Sequence, residues 1–221
     1  MLSPRLNRND RLRHEADGYV ALAKNMRVQI EEYTFRPAQA EDLPYLPEIE
    51  HAAAQLFRDT KYFALADDSS PDLARFQAWL QDGAIWVAVE AQENVVGFAI
   101  AGEVDGQGFL IELDVHPSHG RRGLGRRLIE LVRVWGIERG YEALRLSTFV
   151  EVSWNAPYYE RLGFRVMMED ELGAGLLEIR REEAASGLHV PDRVFMTRSI
   201  HKAVHQNGVQ GRSRLSKGSS K

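Results

Sequence analysis

Residues 120–128, Gly-Arg-Arg-Gly-Leu-Gly-Arg-Arg-Leu, set three glycines and four arginines in nine positions. Open backbone and positive charge together suit an anion. Glycines let a bulky oxyanion approach main-chain N–H groups, and arginines add charge-assisted hydrogen bonds of about 1.5–3 kcal/mol each where well formed. The apolar run Phe109–Val115 precedes the segment. Behind it Leu124, Leu128, Leu131, Val132 and Trp135 recur as one helical stripe, with Arg126, Arg127, Glu130 and Arg133 on the other side. The order strand, Gly-rich turn, helix entrance places unpartnered N–H groups and the positive end of a helix dipole at the turn. No Lys-Ser/Thr follows the glycines, and no acidic residue completes a dinucleotide fingerprint, so neither nucleotide motif is indicated. For Gly120–Gly125 alone, a turn with solvated arginines is the plain alternative.

The surrounding pattern is mixed. Glu31–Pro37 alternates as an edge strand, Asp42–Phe57 has helical spacing behind an Asp42 cap, and Pro71–Gln81 fits a second helix. Three strand-like runs, Ala84–Ala91, Asn94–Gly102 and Gly108–Val115, read as an antiparallel meander. After the Gly123 helix, which Gly140 closes, come a strand at Glu142–Val150, a helix at Asn155–Leu162, a strand at Gly163–Met167, a helix at Asp170–Ala185 and a last strand at Arg193–Ser199. This predicts an α/β fold: a central mixed, mostly antiparallel twisted sheet of six to seven strands flanked by helices.

The totals fit one medium domain with tails, for 221 residues at 44% hydrophobic and 27% charged can bury a real core. Residues 1–28 read as an N-terminal arm, 29–198 as the domain, and 199–221 as a disordered basic tail. Met26 makes a natural start for the compact part, so the first 25 residues are expected to be dispensable. The net charge of −4 conceals a body with 17 basic and 29 acidic residues between basic ends, the reverse of a duplex-binding domain. No specific nucleic-acid partner is expected. Absence of Cys removes disulfides, thiolate metal sites and a Cys nucleophile, and favours a cytoplasmic protein. The apolar runs fall short of the roughly 20 residues of a membrane helix, and the N-terminus lacks a signal-peptide core. His201 and His205 have a metal-like spacing but no third ligand, so no metal is expected.

The segment Val115–Val132, with Val-His-Pro-Ser-His-Gly-Arg-Arg-Gly-Leu-Gly, and the segment Asn155–Val166, with Asn-Ala-Pro-Tyr-Tyr-Glu-Arg-Leu-Gly-Phe, resemble the two signature segments of the GNAT-type N-acetyltransferase superfamily. The resemblance extends over roughly residues 30–198. One departure is Gly120 at the usual Arg/Gln position, with Arg121 one step along. The resemblance implies an acetyl-coenzyme A site. Its pyrophosphate would rest on the backbone of Gly120, Arg121, Arg122, Gly123, Leu124, Gly125 and Arg126, and its pantetheine would pair like an added strand with Leu113, Asp114 and Val115. Asn155 matches a position near the pantetheine; a helix cap is the alternative.

The implied activity is transfer of an acetyl group to a primary amine of a small molecule or peptide by direct attack in a ternary complex. Tyr159 matches the general-acid tyrosine, while Tyr158 is expected to pack. Glu112 and Asp114, two apart on one strand face, could take the amine proton, with a salt bridge to a nearby arginine as the alternative, favoured for Asp114. Glu112 is the catalytic candidate, and main-chain N–H near Val115 would form the oxyanion hole. His116 and His119 would serve the loop's geometry. Acceptor recognition would fall to Asp42–Asp82, where Asp67, Asp68 and Asp72 hint at a cation. A coenzyme A-binding regulatory module without catalysis is the rival reading, and a homodimer stays open.

Overall fold

A computed structural model describes residues 28–30, 32–67, 73–81, 84–188 and 190–200. The tail, the arm through residue 27, the His201/His205 pair, Asp68 and Asp72 lie outside the described residues. Eight strands form one sheet: β1 (Val28–Ile30), β2 (Tyr33–Pro37), β3 (Ile85–Glu90), β4 (Val95–Val104), β5 (Gln107–Val115), β6 (Ala143–Phe149), β7 (Arg165–Val166) and β8 (Arg193–Ser199). Their order is β1-β2-β3-β4-β5-β6-β8-β7, and every neighbouring pair is antiparallel except β5 with β6. The fold class is the expected one. The strand beyond the expected six to seven is β1, which pairs with β2 and so moves that strand in from the edge.

Among the described residues five α-helices flank the sheet: α1 (Leu46–Ala54), α2 (Leu73–Gln81), α3 (Leu124–Glu138), α4 (Ala156–Arg161) and α5 (Ala174–Ala185). On one face Leu46 and Ile49 of α1 and Phe76 of α2 cover Ile85, Val87, Phe98 and Ile100. On the other, Leu128, Ile129, Val132 and Trp135 of α3 cover Trp86, Ala99, Leu144 and Leu146. The stripe of α3 is buried throughout, as its spacing requires. Asp105 and Gly106, both left-handed at φ 52° and 68°, make the two-residue turn between β4 and β5.

The first helix is shorter than its apolar spacing suggests. Residues Ala40–Tyr45 form a 3-10 turn before α1, and Gln55–Phe57 another after it. Pro44 and Pro47 remove two N–H donors there, so a continuous α-helix from Asp42 cannot form. Asp42 does not sit at the cap position; it accepts the Gln39 N–H at 2.7 Å and a forked Arg36 guanidinium at 2.6 and 2.9 Å. Likewise the strand expected at Gly163–Met167 contracts to Arg165–Val166, and the last helix begins at Ala174 after a 3-10 turn at Glu169–Glu171.

Candidate active site

β5 and β6 are the only parallel neighbours, and they stay together only for Gly108–Leu110 against Leu144–Leu146. Beyond Leu110 the strands part. β5 continues to Val115 against β4 alone, which opens a wedge on its other side. The His116 N–H donates to Val96 of β4 at 2.9 Å. Since successive N–H groups of an extended chain point to opposite sides, the Val115 and Leu113 N–H groups face the wedge.

A bulge decides which side chains enter the cleft. Ile100 pairs with Glu112 but Ala101 pairs with Leu110, so Ile111 is the extra residue. Leu110, Leu113 and Val115 all pack into the core under α3. Residues three apart cannot share a face of a regular strand; the bulge inverts the parity. Glu112 and Asp114 are thereby turned to the opposite face, beneath α1 and α2.

There they meet residues that the sequence did not single out. Arg75 of α2 donates to Glu50 of α1 at 2.9 Å and to Glu112 at 3.1 Å. Asp114 forms no salt bridge among the described residues, so the arginine partner expected for it belongs to Glu112. Burial pushes the Glu112 carboxyl well above the usual carboxylate range, and the adjacent Asp114 and Glu50 charges push it further. Burial likewise lifts Asp114, to about 7, against a hydrogen bond from Glu112 and the Arg75 charge that pull it down. The two carboxyls are close enough for their titrations to be linked, and burial raises both above the ordinary carboxylate range.

Tyr159, on α4, is half-buried against the α3 core. Burial first, then the Tyr158 and Asp114 charges, raise its hydroxyl above the ordinary tyrosine value, so it keeps its proton at neutral pH. Tyr158 stands 5.5 Å from it, centroid to centroid, and turns its hydroxyl toward α3. Asn155 precedes α4 without capping it: its side chain makes no cap hydrogen bond, while its carbonyl accepts from Tyr158 and Tyr159 at 2.8 and 3.0 Å. That removes the helix-cap alternative for the amide group.

The Gly-rich turn is neither helix nor strand. Pro117–His119 make one 3-10 turn, Gly120 is extended, and Arg121 and Gly123 are left-handed at φ 59° and 81°. Gly123 caps α3 without a side chain, leaving the first N–H groups of that 15-residue helix to face outward. A Cβ on Gly125 would lie 3.1 Å from the Tyr158 hydroxyl, so glycine there keeps the helix mouth open.

The arginines divide. Arg122 is tied back to β2, donating to the Tyr33 hydroxyl at 2.8 Å, which in turn bonds His119 Nδ1 at 2.9 Å. His116 accepts the Ser118 N–H at 3.3 Å. Arg121 and Arg126 are exposed, and the charge of Arg126 acts on Tyr158 at the helix mouth. Tyr33, Glu50 and Arg75 carried no sequence signal, because each acts through a partner distant along the chain. Of the acidic residues expected to attract a cation, Asp67 is exposed and paired with Arg58 at 2.9 Å; Glu50 is the acid from that segment that reaches the cleft.

The described residues thus form an open mixed α/β sheet that splays beside a Gly-rich helix mouth and a carboxylate pair. The chain belongs to the acetyltransferase (GNAT) family, whose profile matches residues 50–164, more than half of its length. Solved structures share the fold at low identity. An acetyltransferase of the GNAT family from Staphylococcus aureus Mu50 matches with TM-score 0.60 and 18% identity, covering 76% of this chain and 99% of that one. The PaiA N-acetyltransferase from Thermoplasma acidophilum, solved in complex with coenzyme A, gives 0.56 and 16%, covering 76% and 98%. The ribosomal-protein-S18-alanine N-acetyltransferase from Escherichia coli gives 0.54 and 21%, covering 79% and 97%. Among the described residues no helix is long and apolar enough to cross a membrane.

Proposed function

We propose that residues 29–198 act as an N-acetyltransferase domain, moving an acetyl group from acetyl-coenzyme A to a primary amine of a small molecule or peptide by direct attack with both bound. The wedge carries this reading. The open edge of β5, the bare mouth of α3, the Glu112–Asp114 pair and Tyr159 are all drawn to the place where β5 leaves β6.

The donor set fits the cofactor. Main-chain N–H groups from Gly123 to Arg126, with Arg121 and Arg126, suit a diphosphate, and Gly120, Gly123 and Gly125 leave it room. The Leu113–Val115 edge and the Asn155 amide suit the amide-bearing pantetheine. Arg122 serves by fixing the turn to Tyr33. When bound, acetyl-coenzyme A supplies the acetyl group as a thioester.

The chain's own residues do the rest. An alkyl amine with a pKa of about 10.4 arrives as ammonium, and the Glu112–Asp114 pair accepts its proton. The Val115 N–H donates to the carbonyl oxygen as charge builds there. The Tyr159 hydroxyl gives its proton to the departing sulfur while the new C–N bond replaces C–S, and the second proton of the amine nitrogen, shed as the amide forms, passes through water to restore the tyrosine hydroxyl. With no cysteine in the chain, no acyl-cysteine is formed.

Two measurements test this. Calorimetry should register coenzyme A binding, and absence of heat overturns the cofactor assignment. A thiol-release screen with acetyl-coenzyme A over amino acids, polyamines, aminoglycosides, aralkyl amines and peptides should find turnover. Tight binding with no turnover on any amine would favour a regulatory module.

A further inference from the structure

We infer that the acceptor is a primary amine carried on an apolar, ring-bearing body without a carboxylate; this names the acceptor class of the acetyl-transfer reading above and rests on it. The floor of the cleft is acidic: Glu50, Glu112 and Asp114 converge there against the single guanidinium of Arg75. Above the Asp114 value of about 7 the charges of Asp114 and Glu50 outnumber that of Arg75, so the floor attracts ammonium and repels carboxylate.

The wall is aromatic. Phe57 lies in the 3-10 turn that follows α1, the helix that carries Glu50. Its ring lies 5.6 Å from Phe149 of β6 and 5.7 Å from Trp154, and Tyr62 stacks on Phe149 at 4.1 Å. Two links join wall to floor: the Tyr159 hydroxyl feels both Asp114 and Arg193, and Arg193 lies 4.6 Å over the Phe149 ring. Trp154 and Val150 remain 40% exposed at the rim. One ring further, Tyr62 borders a recess of ≈ 470 Å³ lined also by Ala64, Leu65 and Leu188 and by the Lys61–Asp192 ion pair.

The cations of this region are already matched. Arg58 pairs with Asp67, Lys61 with Glu151 and Asp192, Arg75 with Glu50 and Glu112, and Arg193 with Glu183. An acceptor carboxylate would have to displace one of these partners while facing the acidic floor. A polyamine carries no ring to cover Phe57 and Trp154, and its second ammonium would give up water against that apolar wall. A neutral ring meets neither obstacle and gains burial against Phe57 and Trp154.

Thiol release by the full chain with acetyl-coenzyme A at pH 8 decides between them, with phenethylamine, phenylalanine and putrescine as acceptors. Phenethylamine and phenylalanine differ only in the carboxylate. The expected result is a kcat/KM for phenethylamine at least about 10-fold above both others, about 1.4 kcal/mol. Trp154→Ala should raise its KM several-fold and leave the KM for acetyl-coenzyme A unchanged. Phenylalanine or putrescine serving equally well or better overturns the inference. If no amine releases thiol, the acetyl-transfer reading fails by itself, and calorimetry on the chain saturated with coenzyme A still tests the pocket. Tighter binding of phenethylamine than of phenylalanine supports it, and equal or absent binding refutes it.

Discussion

The two halves of the cleft are built in different ways. The cradle side is almost one stretch of chain, from His116 to Arg127, whose shape follows from left-handed Arg121 and Gly123 and a glycine at 125. The side proposed to take the acceptor is a composite: Glu50 from α1, Arg75 from α2, Glu112 and Asp114 from β5, Phe149 from β6 and Tyr159 from α4. A local site depends on backbone conformation and is hard to abolish with one side chain. A composite site depends on electrostatic coupling between elements, so single substitutions there should change chemistry and pH response while leaving the cradle's affinity intact.

Substitutions that separate the halves test that contrast. The largest effect is expected from Tyr159→Phe, which removes the proton for the leaving sulfur: kcat should fall by about 10²-fold or more, with coenzyme A affinity by calorimetry unchanged. On the cradle side Gly125→Val should raise the KM for acetyl-coenzyme A about 10-fold, because its side chain would collide with the Tyr158 hydroxyl at the helix mouth. Its pH profile should not move.

The pH profile belongs to the acceptor side. In the proposed mechanism the carboxylate pair takes up the amine proton, and burial lifts Asp114 to about 7, so kcat/KM should rise with pH through that region. The Arg75 charge favours the ionised carboxylates. Arg75→Ala should therefore shift the rising limb to higher pH, giving a several-fold loss at pH 7 that recovers at pH 9. An unmoved limb would sever Arg75 from the pair.

The smallest effect is one of stability. Gly123→Ala meets no atom within 4 Å, so its cost is the left-handed backbone alone, about 1 kcal/mol, or a Tm lower by about 2–4 °C. The cradle should survive it, with coenzyme A still bound. The composite side has its own signature. A raised folded-state pKa means that the native protein holds protons which the unfolded chain releases, so stability drops as pH climbs from the ordinary aspartate value to about 7. Asp114→Asn should accordingly raise Tm at pH 8 while slowing turnover.

What could be read in advance follows the same division. The stripe of α3, the Asp105-Gly106 hairpin, the meander and the glycine turn were each written in neighbouring residues, where periodicity and backbone preference act over a turn or two. Pro44 and Pro47 were equally visible but were outvoted by apolar spacing, which overextended the first helix. The expected arginine partner of Asp114 went to Glu112, and the cap that Asn155 could have made beside a pantetheine contact is absent, because both depend on where other elements come to lie.

By itself, then, the sequence determined the anion-ready turn, the alternation of the strands and the identity of two carboxylates on one strand face. Only the tertiary structure decided which face. One extra residue at Ile111, required by the pairing of β5 with β4, turns Glu112 and Asp114 away from the α3 core and under Arg75. Strand parity alternates with every residue, so a single bulge inverts it, and a bulge is a property of two strands and not of one.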